Sequence, residues 1–259
     1  MIHAQLTMRS NALEMDTKVD VLLPEDRHTT KDTRGKIYPV LYILHGAKED
    51  NSSWMNLSNI FLMCRDLDLI VVMPTTYRGS YVDAVYGQNY YTYISEELPV
   101  KMKNIFPISD DPKDTFIMGE SMGGYGTMRI ALSKPENYAK AVVLSGGNFD
   151  PFHSFMTSKL TTGVFGDSET WKNSDNNLVN LVQKLKTSTI LPEMQFYCGT
   201  EDRVYDSCKE FYEYIKKELP QMKVSAKWDS GEHNFFYWNK VIPEALHFFG
   251  FEIPQNSVI

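Results

Sequence analysis

Cysteine is scarce in this 259-residue chain, which has three: Cys64, Cys198 and Cys208. So few, and an odd number, cannot build a disulfide framework and leave at least one thiol free. Cys198 lies in an apolar β-type run and Cys64 at the end of a helical one. Both read as small buried hydrophobes of a protein kept reduced, so a cytoplasmic location is expected. Basic residues are also outnumbered, 26 against 33 acidic, for a formal net charge of −7. That argues against a nucleic-acid partner, which requires clustered Lys and Arg. No stretch approaches the ~18 uninterrupted apolar residues that cross a bilayer. The most apolar region, 60–73, is broken by Arg65, Asp66 and Asp68. The first residues lack a basic start, an apolar stretch and a small-residue cleavage site, so no leader and no membrane partner are expected. Neither HExxH nor a paired-cysteine zinc spacing occurs, so no metal and no organic cofactor are expected. Repeats, low-complexity tracts and long linkers are missing too, and residues 1–259 are expected to form one domain.

What is present is a regular alternation of elements. Ala4, Leu6 and Met8 alternate with polar residues, as do Val19, Val21 and Leu23, on either side of a Ser10-Asn11 turn. This pattern predicts an antiparallel hairpin. Pro24 to Lys36 is polar and loop-like. Pro39 to Leu44 is continuously apolar, as expected of a strand covered on both faces. Ser52 or Ser53 is placed to cap a helix running towards Arg65. Further strands are expected at 69–73, 115–118, 141–144, 195–198 and 224–228. Helices are expected at 91–106 (kinked or restarted near Pro99), 122–132, 206–219 and 235–249. Strands alternating with helices imply a mostly parallel sheet with helices on both faces. Residues 149–175 carry no clear period and are expected to form a small insertion on the substrate side.

Gly119-Glu120-Ser121-Met122-Gly123 matches G-x-S-x-G, between the β-type run TFIM and the helix-compatible MGGYGTMRIAL. A serine on a tight strand-to-helix turn is strained and exposes its oxygen, and small residues two positions either side let strand and helix approach closely. The following helix directs its N-terminus at the site, where it stabilises negative charge. The combination is that of the α/β-hydrolase fold, with Ser121 as nucleophile.

An activated serine requires a histidine, and that histidine a carboxylate to hold its tautomer. In this fold the chain order is Ser, then Asp or Glu, then His. Of the histidines after Ser121, His153 precedes the later strands and His247 lies within the closing helix, on a mixed face suited to a capping or surface role. His233 stands in the loop after the strand VSAKW and is the expected base. Asp202, in the loop after QFYC, is the expected acid. Glu201 shares that loop, and Asp229, close to His233 in sequence, stays open as an alternative. Acyl transfer also requires oxyanion donors. One is expected from the backbone N–H of Met122, the other from Ala47 after His45-Gly46. His45 is expected to brace that loop, not to transfer protons.

The segments LHGAKEDNSSW, LIVVMP, YVDAVYGQNYYTYISEELP, GESMGGYGTMRIAL, CGTEDRVYD and SGEHNFFYW, spanning about Pro39 to Trp238, resemble the esterase D superfamily, especially its tributyrin-esterase branch. The resemblance implies a cofactor-free serine carboxylesterase acting on short-chain acyl esters, with acetyl and feruloyl esters within its range. It implies Ser121, Asp202 and His233 as the triad, with Ala47 and Met122 at the oxyanion. The family also includes S-formylglutathione hydrolases, so a thioesterase is the nearest alternative; a hydrolase fold kept only for binding is another. The expected partner is a small-molecule ester, and a homo-oligomer stays open. Trp54, Tyr125, Phe165 and Trp238 are candidates for pocket walls, although each suits a core position equally well.

Overall fold

The computed structural model describes residues 1–25, 35–152 and 159–253. The first two strands, β1 (Ile2–Ser10) and β2 (Met15–Leu23), form the hairpin, with Ile2 opposite Leu23 and Ser10 opposite Met15. The carboxylate of Glu97, 85 to 87 residues away, clasps the turn: it accepts Ser10 Oγ–H at 2.6 Å and the amides of Asn11 and Ala12 at 2.8 and 3.0 Å.

The remaining strands are β3 (Val40–Leu44), β4 (Ile70–Pro74), β5 (Thr115–Glu120), β6 (Lys140–Leu144), β7 (Glu193–Gly199) and β8 (Val224–Asp229). They join in the order β1-β2-β4-β3-β5-β6-β7-β8. β2 meets β4 antiparallel, and every pairing from β4 to β8 is parallel. All five residues of β3 are buried, as a strand covered on both faces requires. Its alternate side chains feed two cores: Val40, Tyr42 and Leu44 on one face, Leu41 and Ile43 on the other.

The helices are α1 (Ser53–Leu57), α2 (Ile60–Cys64), α3 (Tyr90–Thr92), α4 (Leu98–Ile105), α5 (Met122–Ser133), α6 (Lys159–Phe165), α7 (Ser168–Lys172), α8 (Leu178–Lys184), α9 (Tyr205–Glu218) and α10 (Phe235–Phe249). Helices α4, α5, α8 and α9 cover the first face through Leu98, Met128, Leu181 and Phe211; α1, α2 and α10 cover the second through Trp54, Ile60 and Val241. Truncating any of these buried leucines or isoleucines to Ala costs about 2–5 kcal/mol. Among the described residues, no helix is long and apolar enough to cross a membrane.

Two helical expectations need correcting. The segment after Ser52 is two short helices, because Ser58 leaves helical geometry (φ −125°, ψ 168°). Ser52 occupies the cap position without capping through its side chain; Ser53 Oγ instead accepts the Asp50 amide at 3.1 Å. The helix expected over 91–106 is divided by a π-helical turn, Tyr93–Glu97. Pro99, second residue of α4, has no N–H for the Ser95 carbonyl, and its ring crowds that carbonyl; the widened turn absorbs both effects. Within 149–175 the described part holds α6 and α7, while 153–158, which includes His153, and 26–34 of the expected loop lie outside the described residues. Helix α8 has no counterpart in the sequence reading.

Candidate active site

The parallel strands β3, β5, β7 and β8 all end at the same edge of the sheet, and every expected site residue follows one of those ends. Ser121 sits directly after β5 with φ 54° and ψ −115°, a left-handed conformation that costs a non-glycine residue about 1–3 kcal/mol. Its neighbours hold it there: the Ser121 amide donates to Leu144 O of β6 at 2.9 Å, and its carbonyl accepts the Tyr125 amide at 3.1 Å. The flanking glycines explain the motif. A Cβ on Gly119 would lie 2.5 Å from the Gly123 carbonyl oxygen, and one on Gly123 would lie 2.3 Å from the oxygen of Leu44. The first turn of α5 therefore rests directly on the end of β3.

Ser121 Oγ–H donates to His233 Nε2 at 2.8 Å, and His233 Nδ1–H donates to Asp202 at 2.8 and 2.9 Å. Burial works to raise the Asp202 pKa. The bonds from His233 and the Val204 amide (2.9 Å), together with the Ser145 hydroxyl, outweigh it and leave it below the ordinary carboxylate range. Asp202 is thus an anion that fixes the imidazole tautomer with Nε2 free to accept a proton. Trp238 and the imidazole pack in a T-shaped pair with ring centroids 5.2 Å apart, and the indole Nε1–H donates to Ser145 Oγ at 2.9 Å. His233 immediately precedes the cap of α10, where Asn234 accepts the amides of Phe236 and Tyr237.

The competing carboxylates are committed elsewhere. Glu201 accepts the Gly231 amide at 2.6 Å and so ties the Asp202 loop to the His233 loop. Asp229 pairs with Lys240 at 2.8 Å. His247 lies exposed in the last turn of α10, 2.7 Å from Glu252.

Ala47 and Met122 meet at a cavity of about 160 Å³ whose lining also includes Arg78, Ser80, Leu160, Val164 and Phe165. Neither the Ala47 nor the Met122 amide donates to another described residue. His45 braces their loop. It is buried; its Nε2 accepts the Thr76 amide at 3.0 Å, its Nδ1–H donates to Gly46 O at 2.7 Å, and its carbonyl accepts the Tyr81 hydroxyl at 2.8 Å. Burial lowers its pKa to about 4, which keeps it neutral and out of proton transfer.

Of the aromatic residues considered as pocket walls, Phe165 alone lines this cavity. Trp54 is fully buried with Nε1–H on Leu44 O, Tyr125 donates to Asn176 O, and Trp238 supports the imidazole. The sequence reading missed Ser145, a buried residue at φ 49°, and Tyr81, at φ 57°. Positive φ at a residue other than glycine leaves no mark in sequence. Among the described residues, no group of three His, Cys, Asp or Glu side chains is placed to hold a metal ion.

The family model described as Putative esterase matches residues 10–249. An acetyl esterase of Caldicellulosiruptor saccharolyticus is 26% identical over 256 residues, spanning 93% of this chain and 96% of that protein. Among solved structures, the fluorophosphonate-binding serine hydrolase FphF of Staphylococcus aureus superposes with a TM-score of 0.88 at 27% identity, over 97% of this chain and 99% of its own. The S-formylglutathione hydrolase FrmB of the same organism gives 0.85 at 28% identity, over 96% and 98%.

Proposed function

The chain belongs to this esterase family and is a serine carboxylesterase, and on that premise we propose that Ser121, His233 and Asp202 form its catalytic triad, with the Ala47 and Met122 amides as oxyanion donors. The observation that supports the assignment is the unbroken run Ser121–His233–Asp202, both of its contacts at 2.8 Å. Ser121 Oγ attacks the ester carbonyl as His233 Nε2 takes its proton. Negative charge develops on the carbonyl oxygen, beside two amides that donate to no other described residue and the N-terminus of the 12-residue α5. The tetrahedral intermediate collapses, the alcohol leaves with the proton from His233, and an acyl-Ser121 remains. Water, deprotonated by His233, reverses the sequence and releases the acid. Asp202 stays charged throughout and offsets the imidazolium that forms twice per cycle.

The small cavity, walled by Leu160, Val164 and Phe165, favours short acyl groups, acetyl to butyryl. Initial rates on acetyl, butyryl, octanoyl and feruloyl esters, with Ser121→Ala as the blank, test this. Rates that do not depend on Ser121 would overturn the mechanism; a preference for octanoyl or feruloyl esters would overturn the acyl assignment alone.

A thioesterase acting on S-formylglutathione uses the same machinery, and the likeness to S-formylglutathione hydrolases favours it as the second reading. Comparing S-formylglutathione with p-nitrophenyl acetate separates the two. Failure of a fluorophosphonate to label Ser121 would instead revive a binding-only role. The enzyme works as one domain on a small-molecule ester in the cytoplasm, with residues 149–175 as a substrate-side insertion. The support is one sheet running from β1 to β8, three buried free thiols, and α6 lining the cavity.

A further inference from the structure

Glu120 stands in the variable position before Ser121 and takes no part in the proton relay. It is fully buried, and among the described residues neither carboxyl oxygen accepts a well-formed hydrogen bond. A charged carboxylate in that setting would be desolvated without a compensating partner, which disfavours the ionised form. Its surroundings are specific. A Cβ on Gly46 would lie 2.7 Å from both carboxyl oxygens, so the Glu120 carboxyl fills the space where a side chain at position 46 would stand. Glu49 of the same loop comes within hydrogen-bonding reach of that carboxyl, and its Oε2 accepts the Gly46 amide at 3.3 Å.

Two other ionisable groups face the carboxyl. Tyr81, from the segment after β4, has its hydroxyl committed to His45 O; Arg203, from the loop after β7, acts only through space. Burial, then the charge and contact of Glu49, push the Glu120 pKa well above the usual carboxylate range against the weaker pulls of the Gly46 amide and Arg203. The Gly46 amide is the donor nearest both carboxyls and is given to Glu49, so the two carboxyls can bond to each other only if one retains its proton. The fully buried member is the one that must.

We propose that Glu120 keeps its proton at neutral pH and donates it to Glu49, and that this pair braces the loop carrying Ala47 so that its amide stays aimed at the reacting carbonyl. The proposal rests on the oxyanion role given to Ala47 above. Glu120 is a positioning residue: its O–H holds Glu49, Glu49 holds the Gly46 amide, and the next amide along is that of Ala47. Loss of the proton sets two carboxylates against each other, and the half-buried Glu49 is the one free to swing out towards solvent. Turnover then falls at alkaline pH while the triad is untouched.

Infrared difference spectroscopy of the whole enzyme tests this together with pH profiles of kcat and KM. The wild type should show the C=O stretch of a neutral carboxylic acid at pH 7 that disappears on alkaline titration in step with the fall in kcat. Glu120→Gln, which donates but cannot ionise, should lack both the band and that alkaline fall. Glu120→Ala should lose about 10- to 100-fold in kcat with KM nearly constant, less than or up to the ~10²–10³ of a deleted oxyanion donor. Turnover in Glu120→Gln should recover most of that loss. Should a Glu120 variant fail to fold, Glu49→Gln carries the same test: with one charge beside Glu120 removed, the band and the alkaline fall in kcat should both titrate at lower pH. A wild type without the band at pH 7, or an alkaline limb unchanged in Glu120→Gln or Glu49→Gln, overturns the brace. Loss of Ser121-dependent turnover as a whole would overturn the esterase mechanism instead, so the two failures are distinguishable.

Discussion

Gly123 and Leu44 meet backbone to backbone: a side chain on Gly123 would place its Cβ 2.3 Å from the Leu44 carbonyl oxygen. This contact joins two segments of the proposed site, since Leu44 leads into the His45-Gly46-Ala47 loop and Gly123 lies in the first turn of the helix behind Ser121. Neither backbone can retreat easily, because β3 pairs with β4 and β5, and Ser121 is pinned to Leu144.

Gly123→Ala should therefore lower stability by about 1–3 kcal/mol through overpacking. It should reduce turnover by about 100-fold, because forcing α5 away from β3 parts the Met122 amide from the Ala47 amide. Denaturant unfolding and kcat measured on the same preparation check this. A variant as active as the wild type would mean that the two segments are positioned independently.

The triad assignment predicts different failures for its members. Ser121→Ala should lose fluorophosphonate labelling and about 10⁴–10⁶ in kcat. Asp202→Asn should fold normally yet lose about 10⁴, because the new NH2 group can donate to Nδ1, which leaves the ring proton on Nε2, the wrong tautomer for a base. Changing Glu201 or Asp229 to Asn or Gln should cost far less, since their carboxylates hold Gly231 and Lys240. A Glu201 variant as crippled as Asp202→Asn would move the acid to position 201.

The strand ends were legible because continuous apolar runs such as 39–44 and 69–73 mark buried parallel strands, and the residues following them fell in the triad's chain order. Asp202 could be preferred to Glu201 and Asp229 on position alone, and the geometry separates them by partners. Periodicity could not foresee the π turn at Tyr93–Glu97, since a 3.6-residue spacing does not record which carbonyl each amide bonds. Helices α6, α7 and α8 have five to seven residues each, too few for a period to stand out. Whether Trp54 lines a cavity or a core depends on tertiary neighbours: its indole reaches back ten residues to Leu44 O. Glu120 was invisible as more than a variable letter, since its significance lies in what Gly46 lacks.

Acid sensitivity should pass through His45. Its folded-state pKa of about 4 lies below the ordinary 6.5 because it is buried, with Nε2 already accepting the Thr76 amide. Between those pH values the unfolded chain binds a proton that the folded chain refuses. The stabilisation is therefore complete above about 6.5 and falls as pH drops towards 4, by about 3 kcal/mol in all. Denaturant midpoints at pH 7, 5 and 4 should show a shallower decline in His45→Gln than in the wild type. Identical slopes would assign the acid loss to other groups.

The cavity walls should set acyl length. Leu160, Val164 and Phe165 line the same cavity as Ala47 and Met122, and the ring of Phe165 is the largest apolar group among these three. Phe165→Ala should open room for one or two more methylenes, each worth about 1 kcal/mol of transition-state binding. The ratio of kcat/KM for hexanoyl over acetyl esters should then rise by about 5- to 30-fold, while the acetyl rate itself falls little because the triad and its supports are elsewhere. Phe165 belongs to the stretch whose sequence carried no period, so a shift in preference would also tie that stretch to substrate choice. A uniform loss across all chain lengths would instead mean that the ring supports α6 without touching the acyl group.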